Sequence, residues 1–310
     1  MKVSFIIPVY RNEGSIVITY NKIVELCRVI AVDYEFVFIN DGSDDNSLQE
    51  LISLYESDSK VKIINFSRNF GQVSAIVAGY KEVVGDVVVN MSADLQEPVS
   101  LIEEMINKWK AGNEIVICHR IDREDSFIAN NASKVFYKLM KYVNPKMPKG
   151  GFDFILMDKK VIDGLNQIDE RNRFLQGDIL WMGFNVAFIP YNRLKRTIGK
   201  SQWTLSKKLK YFIDGLLNTS YIPIRMMSLL GIIISFLGFI YAVVIAYNRF
   251  INNTPFDGWA PIMILILIIG GLIMLMLGII GEYVWRTYDE TRKRPLYIIK
   301  DKFAKDEKNN

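Results

Sequence analysis

The chain has 310 residues, half of them hydrophobic, with a formal net charge of +4. That length allows one sizeable domain and something more, and so small a charge gives no footing for nucleic-acid binding. Its one histidine, His119, makes neither a histidine-based metal site nor a Ser-His-Asp triad by itself and reads as structural, while Cys27 and Cys118 lack metal-ligand spacing and read as reduced thiols.

Met1-Lys2 precedes the run VSFIIPV, which is too short for a secretory h-region and lacks a cleavage site, so it reads as a first strand, Val3 to Val9. A polar segment, Arg11 to Ser15, leads into a helix from Ile16 to about Ile30, with Ile16, Tyr20, Ile23 and Leu26-Cys27 on one face. Glu35 to Asn40 is a second, uninterrupted apolar strand of the kind buried on both faces of a parallel sheet. It ends in Asn40-Asp41-Gly42-Ser43-Asp44-Asp45, where Gly42 allows a tight turn and Asp45 or Asn46 caps a helix to about Tyr55. A third strand, Val61 to Asn65, ends in FSRNFG, and a helix follows from about Gln72 to Val84. Strand, polar loop and helix thus recur three times, which predicts a Rossmann-like half with a right-handed parallel sheet.

The fourth repeat opens with the apolar run Val87 to Val89 and breaks into Ser92-Ala93-Asp94-Leu95-Gln96-Glu97-Pro98. A carboxylate and an amide two residues apart, just past a buried strand, suit a hard divalent cation that keeps most of its waters. Ligands of open α/β sheets bind at the carboxyl ends of the strands. Each polar loop follows a strand, so that edge collects Glu13, Asp41, Arg68, Asp94 and Gln96.

The series PVYRNE, NDGSDD, SRNFG and SADLQ resembles family 2 glycosyltransferases of the GT-A fold. More narrowly, it is similar to the polyisoprenyl-phosphate glycosyltransferases, which include dolichol-phosphate mannose synthase and GtrB-type bacterial enzymes. The motifs keep the family's order from Pro8 to Arg294. The resemblance implies that Pro8, Tyr10, Glu13, Asp41 and Ser92 bind the nucleotide-sugar donor, and that Asp94 and Gln96 bind Mg2+ or Mn2+ on its diphosphate. It also implies that Arg68, Arg120 and Arg123 face phosphates. Segment KGGFDFIL places Asp153 at the family's acidic position, so Asp94 and Asp153 are the expected catalytic residues. Segment RLKRTIGKSQW matches a basic stretch in which Arg193, Arg196, Lys200 and Ser201 close over the phosphates. The chain departs from the family at Asn40 and Ser92, where aspartate is usual, at Ile155, where arginine is usual, and at Gln202, where lysine is usual. Of these, Ser92 bears on the donor sugar's identity more than on the metal.

A helix is expected over 126–142. From Leu205 the pattern changes: Leu205, Leu209, Phe212-Ile213 and Leu216-Leu217 make an apolar face flanked by Lys207, Lys208 and Lys210, an interfacial helix. Met226 to Tyr247 and Trp259 to Gly281 carry no charge and are each long enough to span ~30 Å of hydrocarbon. Basic residues crowd their outer flanks, which places both termini in the cytoplasm. The expected organisation is a cytoplasmic catalytic domain (1–204), a juxtamembrane amphipathic helix (205–225), a two-helix transmembrane hairpin within 226–285, and a solvated basic tail (286–310), all in an integral protein of the cytoplasmic membrane. The resemblance implies inverting transfer of a sugar, with UDP-glucose the first donor to test, to a polyprenyl phosphate such as undecaprenyl phosphate. A homo-oligomer packed through the spans is expected. Two other classes share these features: a non-catalytic scaffold that binds nucleotide sugars, and a transport or flipping protein with a nucleotide-binding domain. Two spans without a charged residue count against transport.

Overall fold

The computed structural model describes residues 1–121, 146–148, 151–194, 222–251 and 258–305. The expected helix over 126–142, the basic-loop residues after Leu194 and the interfacial segment 205–221 lie outside them. In chain order the elements are β1 (Lys2–Val9), α1 (Ile16–Val29), β2 (Asp33–Asn40), α2 (Ser47–Ser57), β3 (Val61–Phe66), α3 (Gln72–Tyr80), β4 (Val87–Asn90), α4 (Leu101–Lys110), β5 (Ile115–Arg120), β6 (Phe154–Asp158), α5 (Lys159–Leu165), α6 (Leu175–Trp181), β7 (Val186–Tyr191), α7 (Ile222–Ile251), α8 (Trp259–Thr291) and β8 (Ile299–Phe303).

The strands form one eight-stranded sheet in the order β7-β5-β6-β4-β1-β2-β3-β8. The apolar runs of β1, β2 and β4 occupy its middle, and Phe5, Ile6, Phe36, Phe38 and Val88 are fully buried. Each such side chain contributes roughly 1.5–3 kcal/mol relative to exposure. Helix α1 buries Ile16, Thr19, Ile23, Val24 and Cys27, the stripe expected of an amphipathic helix lying on a sheet. At the edge where β1 starts, Glu35 is buried and accepts hydrogen bonds from the Ser4 hydroxyl, Lys62 Nζ (2.8 Å) and the Val84 N–H (2.7 Å). Burial pushes its carboxyl up, but these hydrogen bonds outweigh burial and hold it below its usual range.

The expectation of a parallel sheet needs correction at two strands. β6 runs antiparallel between β4 and β5, and β8 runs antiparallel on the outside of β3, while the other six strands share one direction. The tail also departs from the solvated extension expected after Arg294. Ile299–Phe303 is an edge strand in register with Ile63–Phe66, and Tyr297 stacks on Phe66 at 4.9 Å. Its sequence, IKDKF, has the short, lysine-bearing character of edge strands, which reads as a polar tail when its partner is out of sight.

The described residues fall into two compact units, one within Met1–Phe212 and Pro295–Asn310, the other within Ile213–Arg294. The second holds α7 and α8, with candidate membrane spans at Ile224–Ile245 and Ile268–Thr291 and none of either span's most apolar window buried. Twenty-two helical residues rise roughly 33 Å, enough for a bilayer core. Helix α8 continues past the charge-free stretch, and its extension is braced by an Arg286–Glu282 pair at 3.0 Å.

Candidate active site

Three loops rise from the carboxyl ends of β1, β2 and β3. The backbone N–H groups after β1 find side-chain acceptors in the loop after β2 and the start of α2: Arg11 on Ser43 Oγ (3.1 Å), Asn12 on Ser47 Oγ (2.9 Å) and Gly14 on Glu50 Oε1 (2.7 Å). Arg11 adds a two-pronged pair with Asp44 at 2.6 and 2.7 Å. Glu13, an expected donor ligand, accepts from Asn46 Nδ2 at 2.8 Å. Tyr10 donates its N–H to Asn12 Oδ1, and Pro8 sits within β1 opposite Ile39. Asp41 is buried, and its two oxygens accept the N–H groups of Phe70 (2.6 Å) and Gly71 (2.9 Å). It thereby ties the loop after β3 to the loop after β2. Gly42, between them, has φ +65°, and a Cβ there would lie 2.4 Å from the Arg68 carbonyl carbon. Arg68, expected to face phosphate, lays its guanidinium 4.0 Å from the Phe70 ring centre and bonds the Asn69 carbonyl at 3.0 Å.

The turn after β4 is built around carboxylates. Asp94 is 5% exposed and Glu97 2%. The Ser92 hydroxyl donates to Asp94 Oδ1 (2.7 Å) and lies 2.8 Å from Glu97 Oε2, which also accepts the Ser92 N–H at 2.7 Å. Burial pushes the Glu97 carboxyl up to about 7 against these hydrogen bonds, and Asp94 and Asp153 add to the rise. Leu95 takes φ +57°, a left-handed conformation unusual for leucine, between the two residues expected to hold metal. Gln96 donates its N–H to Asp94 Oδ1 (3.3 Å) and its Nε2 to the Leu194 carbonyl (3.3 Å), while Leu194 N–H returns to the Gln96 carbonyl (3.0 Å). The chain beyond β7 is thus pinned to this turn.

The antiparallel insertion of β6 brings Asp153 to the same edge, since Asn90 at the end of β4 pairs with Ile155. Two buried amides hold the peptide before β6: Asn90 Nδ2 donates to the Asp153 carbonyl (2.9 Å) and Gln176 Nε2 to the Phe152 carbonyl (2.6 Å). The Asp153 carboxylate is half exposed and lies 3.8 Å from the Arg120 guanidinium. Burial works against the charge of Arg120, but a hydrogen bond to Tyr191 and the nearby Asp153 and Glu97 outweigh it and raise its pKa. Arg193 keeps an exposed face. Protein packed around its guanidinium, together with the charge of Arg120, lowers its pKa below the ordinary arginine value. The guanidiniums of Arg120 and Arg193 thus share this edge with the carboxylates of Asp94, Glu97 and Asp153, and a guanidinium is suited to two-pronged hydrogen bonds with phosphate oxygens.

Of the expected residues, Asp94, Gln96, Arg120, Asp153 and Arg193 come together; Ser92 joins them through Asp94. Pro8, Tyr10, Glu13 and Asp41 lie at neighbouring strand ends of the same edge, and Arg123, Arg196, Lys200 and Ser201 lie outside the described residues. Glu97 and Tyr191 were missed. Glu97 carried a signal, an acidic residue three positions after Asp94 in the same turn; a tyrosine ending a strand carries none. Among the described residues no three His, Cys, Asp or Glu side chains form a metal cage. The donor set nevertheless fits a hard cation. Asp94 would supply a carboxylate, and Gln96, whose nitrogen bonds the Leu194 carbonyl, would supply its amide oxygen. Mg2+ and Mn2+ accept so few protein ligands when phosphate and water fill the rest.

A family model described as glycosyl transferase family 2 matches residues 4–165. The chain is 38% identical over 303 residues to an uncharacterized glycosyltransferase of Bacillus subtilis (strain 168), covering 97% of this chain and 94% of that one. It is 33% identical over 304 residues to the bactoprenol glucosyl transferase of Shigella phage SfX, covering 97% of this chain and all of that one. Among solved structures it resembles mannosyl-3-phosphoglycerate synthase from Rubrobacter xylanophilus, with a TM-score of 0.51 at 12% identity over 73% of this chain and 74% of that one, a likeness of fold. With the motif order, the strand-end site and a family match over more than half its length, this chain belongs to glycosyl transferase family 2 and is a glycosyltransferase.

Proposed function

We propose that the protein transfers glucose from UDP-glucose to a polyprenyl phosphate, with inversion at the anomeric carbon. The observation that carries this reading is the end-to-end likeness to the bactoprenol glucosyl transferase of Shigella phage SfX. The acceptor's terminal phosphate is largely ionised near pH 7, its second pKa being about 6 by analogy with phosphoserine, so it needs little help from a general base. Its oxygen forms the bond to the anomeric carbon as the bond to the diphosphate oxygen breaks, and the electron pair leaves with the nucleoside diphosphate. The demand on the protein is to hold two phosphate-bearing groups together against their repulsion. Arg120 and Arg193 supply positive charge for that, and Asp153, 3.8 Å from Arg120, orients the guanidinium and faces the developing positive charge on the sugar. Asp94 and Gln96 hold Mg2+ or Mn2+, which when bound neutralises charge on the leaving diphosphate. The loops after β1, β2 and β3 hold the base and ribose.

In this reading α7 and α8 cross the cytoplasmic membrane as a hairpin, with both termini and the catalytic unit on the cytoplasmic side. Arg225, Arg286, Arg292, Lys293 and Arg294 provide the basic flanks, and copies of the chain pack through the spans. The test is to incubate the purified full-length protein with undecaprenyl phosphate and a panel of labelled nucleotide sugars. Label should pass to the lipid from UDP-glucose. Binding of nucleotide sugar without transfer from any donor would refute the reading in favour of a scaffold.

A further inference from the structure

The chain runs out through two apolar helices and returns, and its returning segment is bonded to the loops assigned to the donor. Asp301 Oδ2 accepts from Asn65 Nδ2 at 2.8 Å, Asn65 Oδ1 accepts from Asn40 Nδ2 at 2.9 Å, and Asn40 Oδ1 accepts the Ser43 N–H at 3.4 Å. Asn65 and Asn40 are buried, at 3% and 1% exposure. Each amide in this line has its donor and acceptor committed in one direction, so the line has a polarity set by the carboxylate at its end. Beside it the Ser67 N–H bonds the Ile298 carbonyl at 3.0 Å. Tyr297 stacks on Phe66, which meets Phe70 edge-on at 5.7 Å. Phe70 is the residue whose N–H Asp41 holds. The returning segment therefore grips both loops, one through amides and one through rings.

We propose that residues 297–301 are a positioning element for the nucleotide: Asp301, acting through Asn65 and Asn40, and Tyr297, acting through Phe66, hold the loops after β2 and β3 in their binding arrangement. The inference rests on the reading that these loops hold the donor nucleotide. It makes the segment beyond the second apolar helix part of the donor site, although Asp301 lies 236 positions from the asparagine it bonds. Capping of an exposed sheet edge is the competing explanation for β8. It predicts a loss of stability and no selective effect on the donor.

The polarity of the amide line supplies the test. Asn65→Asp keeps an acceptor for Asn40 but sets a carboxylate against Asp301. Asp301→Asn in the same chain restores a donor facing the carboxylate that the first substitution introduces. In the full-length protein, Asn65→Asp should weaken UDP binding, measured by calorimetry with Mg2+, by about tenfold, as expected for members of one hydrogen-bonded network. It should raise the donor KM, leave the acceptor KM and kcat at saturating donor unchanged, and speed hydrogen exchange over residues 41–43 and 67–71 but not 92–97. The double variant should return all of these toward wild type, and Tyr297→Ala should speed exchange at 67–71 without touching the amides. The proposal is overturned if Asn65→Asp lowers the melting temperature alone, if the second substitution restores nothing, or if the loss falls on the acceptor. Should wild type bind no UDP, the donor reading itself fails, and unaltered exchange at 41–43 and 67–71 would sink the coupling independently.

Discussion

Gly42→Ala tests how tightly the loops after β2 and β3 are fitted to one another. Gly42 has φ +65°, and the added Cβ would lie 2.4 Å from the Arg68 carbonyl carbon and 2.7 Å from both the Arg68 Cα and the Asn69 nitrogen. These are backbone atoms, so no side chain can swing away. An ordinary contact starts at 3.4 Å, so the loop after β3 must withdraw by about 1 Å, the difference between the two distances. That withdrawal stretches the bonds from Phe70 and Gly71 to Asp41, now 2.6 and 2.9 Å, to or past their useful limit. A left-handed alanine costs about 1–2 kcal/mol, and weakening two hydrogen bonds to a buried carboxylate costs about 1.5–3 kcal/mol each if lost outright. A destabilisation of about 3 kcal/mol or more is expected, together with a loss of kcat/KM on the order of 100-fold, the scale of a 1 Å misplacement. Gly112→Ala is the control: its φ is +97° but nothing lies within 4 Å of a Cβ there, so it carries the backbone cost alone. Denaturant midpoints and donor KM values of the two variants decide the matter. If Gly42→Ala is no less stable than Gly112→Ala and keeps the wild-type donor KM, the packing argument fails.

Asp94→Asn should reduce turnover by at least ~100-fold, and EDTA should act likewise on wild type until Mg2+ or Mn2+ is restored; full activity in EDTA would remove the metal from the mechanism. Asp153→Asn should lower kcat while leaving the donor Kd near wild type, and a variant that folds but loses donor would move Asp153 into the donor site. Lys62→Met should destabilise by about 1.5–3 kcal/mol, because it removes a charged hydrogen bond from the buried Glu35 carboxylate, which keeps Lys2 at 4.0 Å and its bonds to Ser4 and Val84. Glu35 sits below its ordinary value of 4.5 in the folded protein, so its contribution is present above that pH and is lost as pH falls through the lower folded value. Glu35→Gln should flatten the acid limb of the stability curve, and an unchanged limb would show that other carboxylates dominate it. A cysteine at Asn253 should label only from outside intact cells and one at Lys300 only from the cytoplasm, with the buried native Cys27 and Cys118 silent; the reverse pattern would put the donor site on the wrong side.

Short-range physics accounts for the features that can be read along the chain. β1 to β4 and the helices between them were legible because apolar residues dominate each strand, a polar loop follows each one, and α1 carries a 3.6-residue stripe. The two apolar helices were legible because run length against bilayer thickness is a local count. Asp94, Gln96 and the loop residues of β1 to β3 were legible because every loop after a parallel strand must emerge at the same edge. Tertiary structure decided the rest. The antiparallel course of β6 puts Asp153 beside Arg120, and nothing in FILMD announces which strands will flank it. The pairing of β8 with β3 turns a charged tail into a sheet edge, since backbone pairing depends on the partner's register more than on intrinsic strand propensity. The meeting of Tyr191 and Arg193 with the turn that holds Asp94 and Glu97 joins segments 98 positions apart at Gln96 and Leu194, and the surroundings that raise the Glu97 carboxyl to about 7 and lower the Arg193 guanidinium exist only once the sheet has assembled.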